Sequence, residues 1–199
     1  MSVRKEITEY DGVYFITCTN SRWLRLVAIV NGYDVVYKWF DYLKAKGHFI
    51  VGYVIMPNHF HALIAFRNTQ GQSINAIVGN GKRFMSYEIV NRLKEQNKEE
   101  LLAQLSSFVN VTDKRRGKLH EVFEPSFDWK ECNSEKFMVQ KLDYIHSNPC
   151  SGKWDLAKHP EEYVHSSAQF YFSGQQGVYE VTSYATLDDI DLTKPFLEQ

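Results

Sequence analysis

The sequence predicts an α+β fold with an antiparallel sheet, and three observations carry that expectation. β-branched and aromatic runs mark strands, among them two joined by a tight proline turn. Apolar residues at helical spacing mark the segments between and after them, and the resulting order is strand, helix, hairpin, helix, insertion, strand, helix, tail. At 199 residues, with no internal repeat, the chain fits one domain spanning 1–199 with its own core.

Val13 to Thr19 (VYFITCT) follows the turn-like pair Asp11-Gly12 and reads as the first strand. Asp34 to Lys46 then places Val35, Val36, Trp39, Phe40 and Leu43 on one helical face, with Gly47 as the stop. Phe49 to Met56 is the second strand. Pro57-Asn58 breaks it, and His59 to Phe66 (HFHALIAF) returns as the other half of a hairpin.

Beyond Gly71, the spacing of Ile74, Ile77, Phe84, Ile89 and Leu93 predicts a helix that Gly79 and Gly81 can interrupt. Residues 97–118 read as a mobile insertion, a charged helical piece around Leu101 to Phe108 followed by a basic run. Val122 to Trp129 predicts a short strand broken by Pro125. Asn133 can cap a helix from about Ser134 to Asn148, which Pro149 ends by disfavouring helical backbone in the residue before it. A short helix near Glu161 to Phe170, a Gly-rich turn and an extended piece, Val178 to Thr182, complete the chain, with an extended tail from about residue 173.

Apolar residues make up 44% of the chain, which supports a core without disulfides. Cys18, Cys132 and Cys150 are odd in number and lack CxxC spacing, so they suggest neither a disulfide framework nor a zinc ribbon and read as reduced thiols. The charged start MSVRKEITEY has no apolar signal region, and no apolar run is long enough for a bilayer, so the expectation is a cytoplasmic protein with no membrane partner. A net charge of -1 argues against indiscriminate coating of duplex DNA, which depends on neutralising many phosphates. Two local basic runs remain, Lys82 with Arg83, and Lys114, Arg115 and Arg116 with Lys118. Each is a candidate phosphate contact for DNA, and each taken alone also reads as a solvated loop.

Residues two apart on a strand point the same way. Phe60, Ala62, Ile64 and Phe66 therefore share a core face, while His59 and His61 project from the other and can offer two imidazole nitrogens to one divalent ion. Such a pair suits Mn²⁺, Zn²⁺ or Fe²⁺, and admits Mg²⁺ when oxygen ligands complete the shell. A bare HxH is a weak signal; its place after an apolar strand and a proline turn strengthens it. In the helix before Pro149, Phe137, Lys141, Tyr144 and Asn148 form one stripe, and Met138, Leu142 and Ile145 form an apolar stripe able to dock on a sheet. That helix can present a phenol, an amide and an ammonium together. The amide oxygen of Asn148 can join the same ion, and Lys141 can steady a phenolate or a phosphate oxygen.

These residues resemble a known family. MPNHFHALIAF is similar to the histidine-hydrophobic-histidine (HUH) motif of single-tyrosine HUH transposases. LDYIHSNPCSGKW followed by EEYVHSSAQFY is similar to the C-terminal signature of their REP-associated tyrosine transposase branch. The likeness runs from about Gly12 to Phe172. It departs from the pattern at Asn148-Pro149-Cys150, where the branch often has valine after the proline, and Gly152 arrives one residue early.

The resemblance implies a ferredoxin-like antiparallel sheet carrying helices, with the histidines on a central strand and the tyrosine on a C-terminal helix. By matching position it implies His59, His61 and Asn148 as ligands of Mg²⁺ or Mn²⁺, and Tyr144 as the nucleophile. The implied activity is nicking and rejoining of single-stranded or hairpin DNA through a 5′-phosphotyrosine, by a monomer or a homodimer. Free tyrosine has a pKa of about 10, so this chemistry needs an activated target or a base. Two other classes stay open on the residues alone: a domesticated hairpin-binding protein that cuts nothing, and a hydrolase in which the metal activates water.

Overall fold

The computed structural model describes residues 6–196. Residues 1–5 and 197–199 of the expected 1–199 domain, and with them half of the charged N-terminal stretch, lie outside the described residues. The elements in order are β1 (Gly12–Thr19), α1 (Leu26–Ile29), α2 (Tyr33–Ala45), β2 (Phe49–Met56), β3 (His59–Phe66), α3 (Ile74–Glu95), α4 (Glu99–Ser107), α5 (Val111–Arg115), β4 (Asp128–Glu131), α6 (Glu135–Ser147) and α7 (Ala168–Ser173). The strands lie in the order β2-β3-β1-β4, and every neighbouring pair is antiparallel. This is the α+β, ferredoxin-like arrangement expected from the sequence, and it makes β3 a central strand.

Both faces of β3 are covered, so all eight of its residues are buried. On one face Phe60, Ala62, Ile64 and Phe66 join Tyr14, Ile16 and Tyr53 under α2 and α3, with Phe40, Leu43 and Ile89 among the contacts. Arg92 of α3 pairs both guanidinium nitrogens with the Asp34 carboxylate of α2 at 2.7 Å, which fixes the two helices to each other. On the other face Phe15, Val54, Leu63 and Ala65 receive Met138, Leu142 and Ile145 of α6. A bulge in β2 between Ile50 and Gly52 allows that docking, because Gly52 has no side chain and a Cβ there would lie 2.3 Å from Leu142.

Several expectations require correction. Helix α3 runs unbroken through Gly79 and Gly81. Gly81 is a packing requirement, since a Cβ there would lie 2.2 Å from the indole of Trp39. Residues 97–118 form α4 and α5, and Leu102 and Leu105 are buried in the main core. The strand expected at Val122 to Trp129 begins only at Asp128, with Phe123 making an isolated bridge to Asn20. Ser134, rather than Asn133, caps α6 by accepting from Phe137 N. Pro149 does not push Asn148 out of the helical region (φ −57°, ψ −45°); a 3-10 turn Asn148–Cys150 continues the helix, with proline near its start where no N–H is needed.

The C-terminal region also differs from expectation. The helix expected near Glu161 to Phe170 is a 3-10 turn Pro160–Glu162 followed by α7. Between them, residues 165–167 line the free edge of β2: Ile55 N donates to His165 O, and Ser167 N donates to Tyr53 O. His146 of α6 bonds Ser167 Oγ at 2.9 Å, tying helix to edge. The extended piece expected at Val178 to Thr182 has no regular secondary structure, but it buries Tyr179 and Val181, and Thr182 N donates to Ile50 O. The last helical piece, Tyr184–Asp189, had no signal in our sequence reading.

The two α3 glycines are expected to respond with opposite signs. Gly79→Ala meets nothing within 4 Å and should stabilise by up to about 1 kcal/mol through helix propensity. Gly81→Ala should destabilise by roughly 1–3 kcal/mol despite the same gain, because Trp39 must move. Urea denaturation midpoints of the two variants check this.

Candidate active site

The register of the sheet assembles the site. Antiparallel pairing sets Thr17 opposite His61 and Thr19 opposite His59, so threonines and histidines share the α6 face of the two central strands. Next along β1 on that face is Phe15, whose ring stacks on His61 with centroids 5.3 Å apart and planes 21° apart. The rings of His59 and His61 are 4.8 Å apart. Docking of α6 brings Tyr144 over this group, edge-on to His61 at 5.4 Å and to Phe15 at 6.0 Å. Tyr144 is 53% exposed, so its phenol is accessible from solvent.

Asn58 and Thr17 orient the imidazoles. Asn58 Nδ2 donates to the Trp23 carbonyl at 3.0 Å, so its Oδ1 faces His59 Nδ1 at 2.6 Å and accepts. His59 thus carries its proton on Nδ1 and leaves Nε2 bare. His61 Nδ1 lies 2.7 Å from the Thr17 hydroxyl, which accepts in the tautomer that also leaves Nε2 bare. His61 Nε2 is buried and has no hydrogen-bond partner among the described residues. A buried orphan nitrogen normally costs about 1–3 kcal/mol. An imidazole held by an outer hydrogen bond at one nitrogen, with a bare lone pair at the other, has the form of a metal ligand.

Burial holds both rings neutral. His59 is pushed down to about 4, first by desolvation and then by Lys153. His61 is pushed down to about 3 by desolvation, then by repulsion from His59 and Lys141. No proton therefore competes for the lone pairs near neutrality. Among the described residues no three His, Cys, Asp or Glu side chains gather to hold an ion. The further oxygen donor expected from the sequence is the Asn148 amide, one turn past Tyr144. It lines a recess of about 380 Å³ with Tyr144, Ser147, Ser151, Gly152, Lys153 and Trp154, and Trp154 in turn meets His59 at 5.8 Å. His59, His61 and Asn148 fit a divalent ion in donor chemistry. A larger recess of about 490 Å³, lined by Tyr42, Lys46, His48 and Asn68 among others, contains none of these groups.

Lys141 sits in an aromatic cage, its Nζ 5.0 Å from the Phe15 ring centroid, 5.1 Å from Phe137 and 5.9 Å from Tyr144. The structure thus brings Tyr144, Lys141, His59 and His61 into one cluster, with Asn148 beside Tyr144. The basic residues do not join it. Lys82 is buried, and its ammonium donates to the carbonyls of Glu124 (2.6 Å), Pro125 (3.3 Å) and Ser126 (3.2 Å), so it clamps the chain before β4 and cannot meet a phosphate. Lys118 is paired with Asp113 and the buried Glu121. Arg83 lies over Phe84 on the surface, and Lys114, Arg115 and Arg116 are exposed around α5. None of these makes a hydrogen bond or ring contact with the histidines or Tyr144.

Sequence reading missed Phe15, Thr17, Asn58, Trp23 and Trp154. Asn58 and Thr17 had a signal: one precedes HxH directly and the other belongs to a strand already recognised. Trp23 had none, because its approach to His59, 5.7 Å between centroids, depends on tertiary packing.

Two histidines on a central strand of a ferredoxin-like sheet, faced by a tyrosine on a docked helix, define an α+β protein with one candidate active site on the α6 face of that sheet. Its fold is shared with a solved structure described as a REP-associated tyrosine transposase bound to a REP hairpin, with a TM-score of 0.58, 14% identity and complete coverage of both chains. A candidate transposase from Deinococcus radiodurans R1 gives a TM-score of 0.41 at 16% identity, over 73% of this chain and 97% of that one. No protein-family model and no curated protein matches the sequence. Among the described residues no helix is long and apolar enough to cross a membrane.

The neutral histidines set an acid limit. His48 and His146 are also pushed down to about 4, chiefly by burial, and an unfolded imidazole titrates near 6.5. Between these values the unfolded chain binds more protons, so stability falls as pH drops from about 6.5 toward 4. Metal-free protein should lose on the order of 1–2 kcal/mol per buried histidine at pH 5 relative to pH 7, read from denaturation curves in EDTA.

Proposed function

We propose that this chain is a metal-dependent single-strand DNA transesterase of transposase type, acting on hairpin-forming DNA with Tyr144 as nucleophile. The observation that carries this reading is the contact between Tyr144 and His61, which unites the helix-borne phenol with the strand-borne imidazole pair. The shared fold with a hairpin-bound transposase supports it.

His59 and His61 would hold a divalent ion through their Nε2 atoms, with Asn148 as the oxygen donor. When bound, the ion supplies Lewis-acid polarisation of the scissile phosphate. Tyr144 would give up its phenol proton to solvent and attack phosphorus through Oη, while the bond to the 3′ oxygen breaks and that oxygen takes up a proton as the free 3′ hydroxyl. The 5′ phosphate remains on Tyr144 as a diester. Because one phosphodiester replaces another, a new 3′ hydroxyl can reverse the step and join strands without ATP. Lys141, held by its aromatic cage, faces negative charge developing on the phosphoryl oxygens. Phe15, buried beneath His61 and Tyr144, keeps water from the underside of the site. The exposed face of Tyr144 favours an unpaired strand, whose backbone can be drawn down to the phenol.

Incubation with single-stranded hairpin oligonucleotides from the gene's own flanks, with Mg²⁺ or Mn²⁺, should give a covalent protein–DNA band on denaturing gels. Tyr144→Phe should abolish the band, and EDTA should do so reversibly. His61→Ala should lower the rate by at least about 100-fold, the scale on which lost transition-state charge stabilisation acts. Cleavage that persists in Tyr144→Phe would replace this reading with metal-activated water. Hairpin binding with no adduct under any divalent ion would replace it with a binding protein that does not cut.

Manganese or zinc should also raise the melting temperature of the wild type and leave His59→Ala unshifted. That readout is independent of any DNA.

A further inference from the structure

Two tryptophans meet the same imidazole. Trp23 approaches His59 edge-on at 5.7 Å and is nevertheless 58% exposed. Trp154 approaches His59 from the recess at 5.8 Å, half-buried, with its planes tilted by 45°. Neither belongs to the two hydrophobic clusters as a fully buried member.

Trp23 is held out by its backbone. Arg22 and Trp23 have φ of 52° and 58°, a left-handed conformation that non-glycine residues, and bulky ones above all, seldom adopt. The turn is fixed from three sides: Trp23 N donates to Asn20 O, Arg22 N to Glu124 Oε1, and Asn58 Nδ2 to Trp23 O. Such conformations persist only where surrounding structure over-determines them, and they concentrate at ligand-binding sites. The same Asn58 that orients His59 therefore also fixes the exposed indole. On the other side, Lys153 is exposed, with its ammonium 5.4 Å from the Trp154 ring, and both line the recess that contains Tyr144 and Asn148.

Flat, partly exposed rings beside a cation, next to a phosphoryl-transfer site, match an unpaired nucleobase and its phosphate. We propose that Trp23 and Trp154 form a stacking site for an unpaired base adjacent to the scissile phosphate, with Lys153 meeting the backbone. This rests on the reading of a single-stranded substrate, and it adds the residues that keep that strand unpaired at the point of attack. A base stacked on indole is recognised through its face, so the site tolerates sequence and selects against paired bases.

The test uses the full chain in EDTA, where binding is separated from cleavage, and two fluorescent DNA hairpins: one blunt, one carrying an unpaired oligo-dA flank. Trp23→Ala and Trp154→Ala should each weaken binding of the flanked hairpin by roughly fivefold or more and leave the blunt hairpin nearly unchanged. Trp23→Phe and Trp154→Phe should recover most of the loss. Against wild-type protein, an abasic residue at one flank position should reproduce the loss, and Trp23→Ala should then add little.

Equal affinity of wild type and both alanine variants for the flanked hairpin would overturn the proposal. So would equal losses on both hairpins, or an abasic scan with no sensitive position. If an alanine variant fails to fold, the phenylalanine variants and the abasic scan decide the matter. The covalent band of Tyr144 is scored separately: flank-dependent binding without it sinks the chemistry and keeps the stacking site, and the band without flank dependence does the reverse.

Discussion

The arrangement depends on one packing event, the docking of α6 on the second face of the sheet. Met138, Leu142 and Ile145 bury against Phe15, Val54, Leu63 and Ala65, and each such side chain contributes on the order of 1.5–3 kcal/mol. The ring contacts of Tyr144 with His61 and Phe15 are worth roughly 0.5–1.5 kcal/mol apiece and leave the phenol half in solvent. The apolar stripe therefore decides where the helix lies, and Tyr144 is carried into place by it. The bulge and missing side chain at Gly52 set how closely Leu142 can approach, so a backbone irregularity in an outer strand fixes the height of the phenol above the imidazoles.

What the sequence revealed and concealed divides along the range of the interactions. Alternation within β3 separated the histidines from Phe60 and Ile64, and helical spacing separated Leu142 from Tyr144; both are local patterns that the fold preserved. Hidden from local reading were the long-range consequences. Gly81 resembled a helix breaker, and it is instead the gap through which α3 accepts Trp39. Asn133 was the expected cap of α6, and Ser134 caps it instead, one residue later, its Oγ accepting from Phe137 N. Leu102, Leu105 and Val109 stood at helical spacing in 97–118, but the surrounding charge masked a face that the core buries.

Charge was the least reliable guide to the site. Of the two basic runs, the shorter one loses Lys82 to three backbone carbonyls, a use that density of positive charge along a sequence does not reveal. The longer one has Lys118 neutralised by Asp113 and Glu121. The cations that do stand at the candidate site, Lys141 and Lys153, are single residues placed against aromatic rings. With a net charge of -1, affinity for a nucleic acid cannot come from bulk attraction. Under the proposed function it would come from a few contacts made where an unpaired strand can reach them, beside the partly exposed tryptophans and tyrosine around the histidines.

Asn58 shows how the site can be organised in advance of its ligands. Its backbone carbonyl accepts from Asn20 N, its Nδ2 holds the Trp23 turn, and its Oδ1 sets the tautomer of His59, so three features separated in sequence share one amide. Thr17 gives His61 a matching outer partner from the neighbouring strand. The fold thereby holds two neutral imidazoles in fixed orientation at a cost, since His61 Nε2 is buried with no hydrogen-bond partner among the described residues. The strain at Arg22 and Trp23 has the same character, a locally unfavourable conformation maintained by hydrogen bonds from outside it. Both costs fall on the same end of β3, where the hairpin turn, the helix end and the left-handed turn converge. Buried unpartnered atoms also lie elsewhere among the described residues, at Trp39 Nε1 and Arg67 Nε, so the ground for locating function at this end of β3 is that the orphan nitrogen, the left-handed turn and the exposed phenol stand there together.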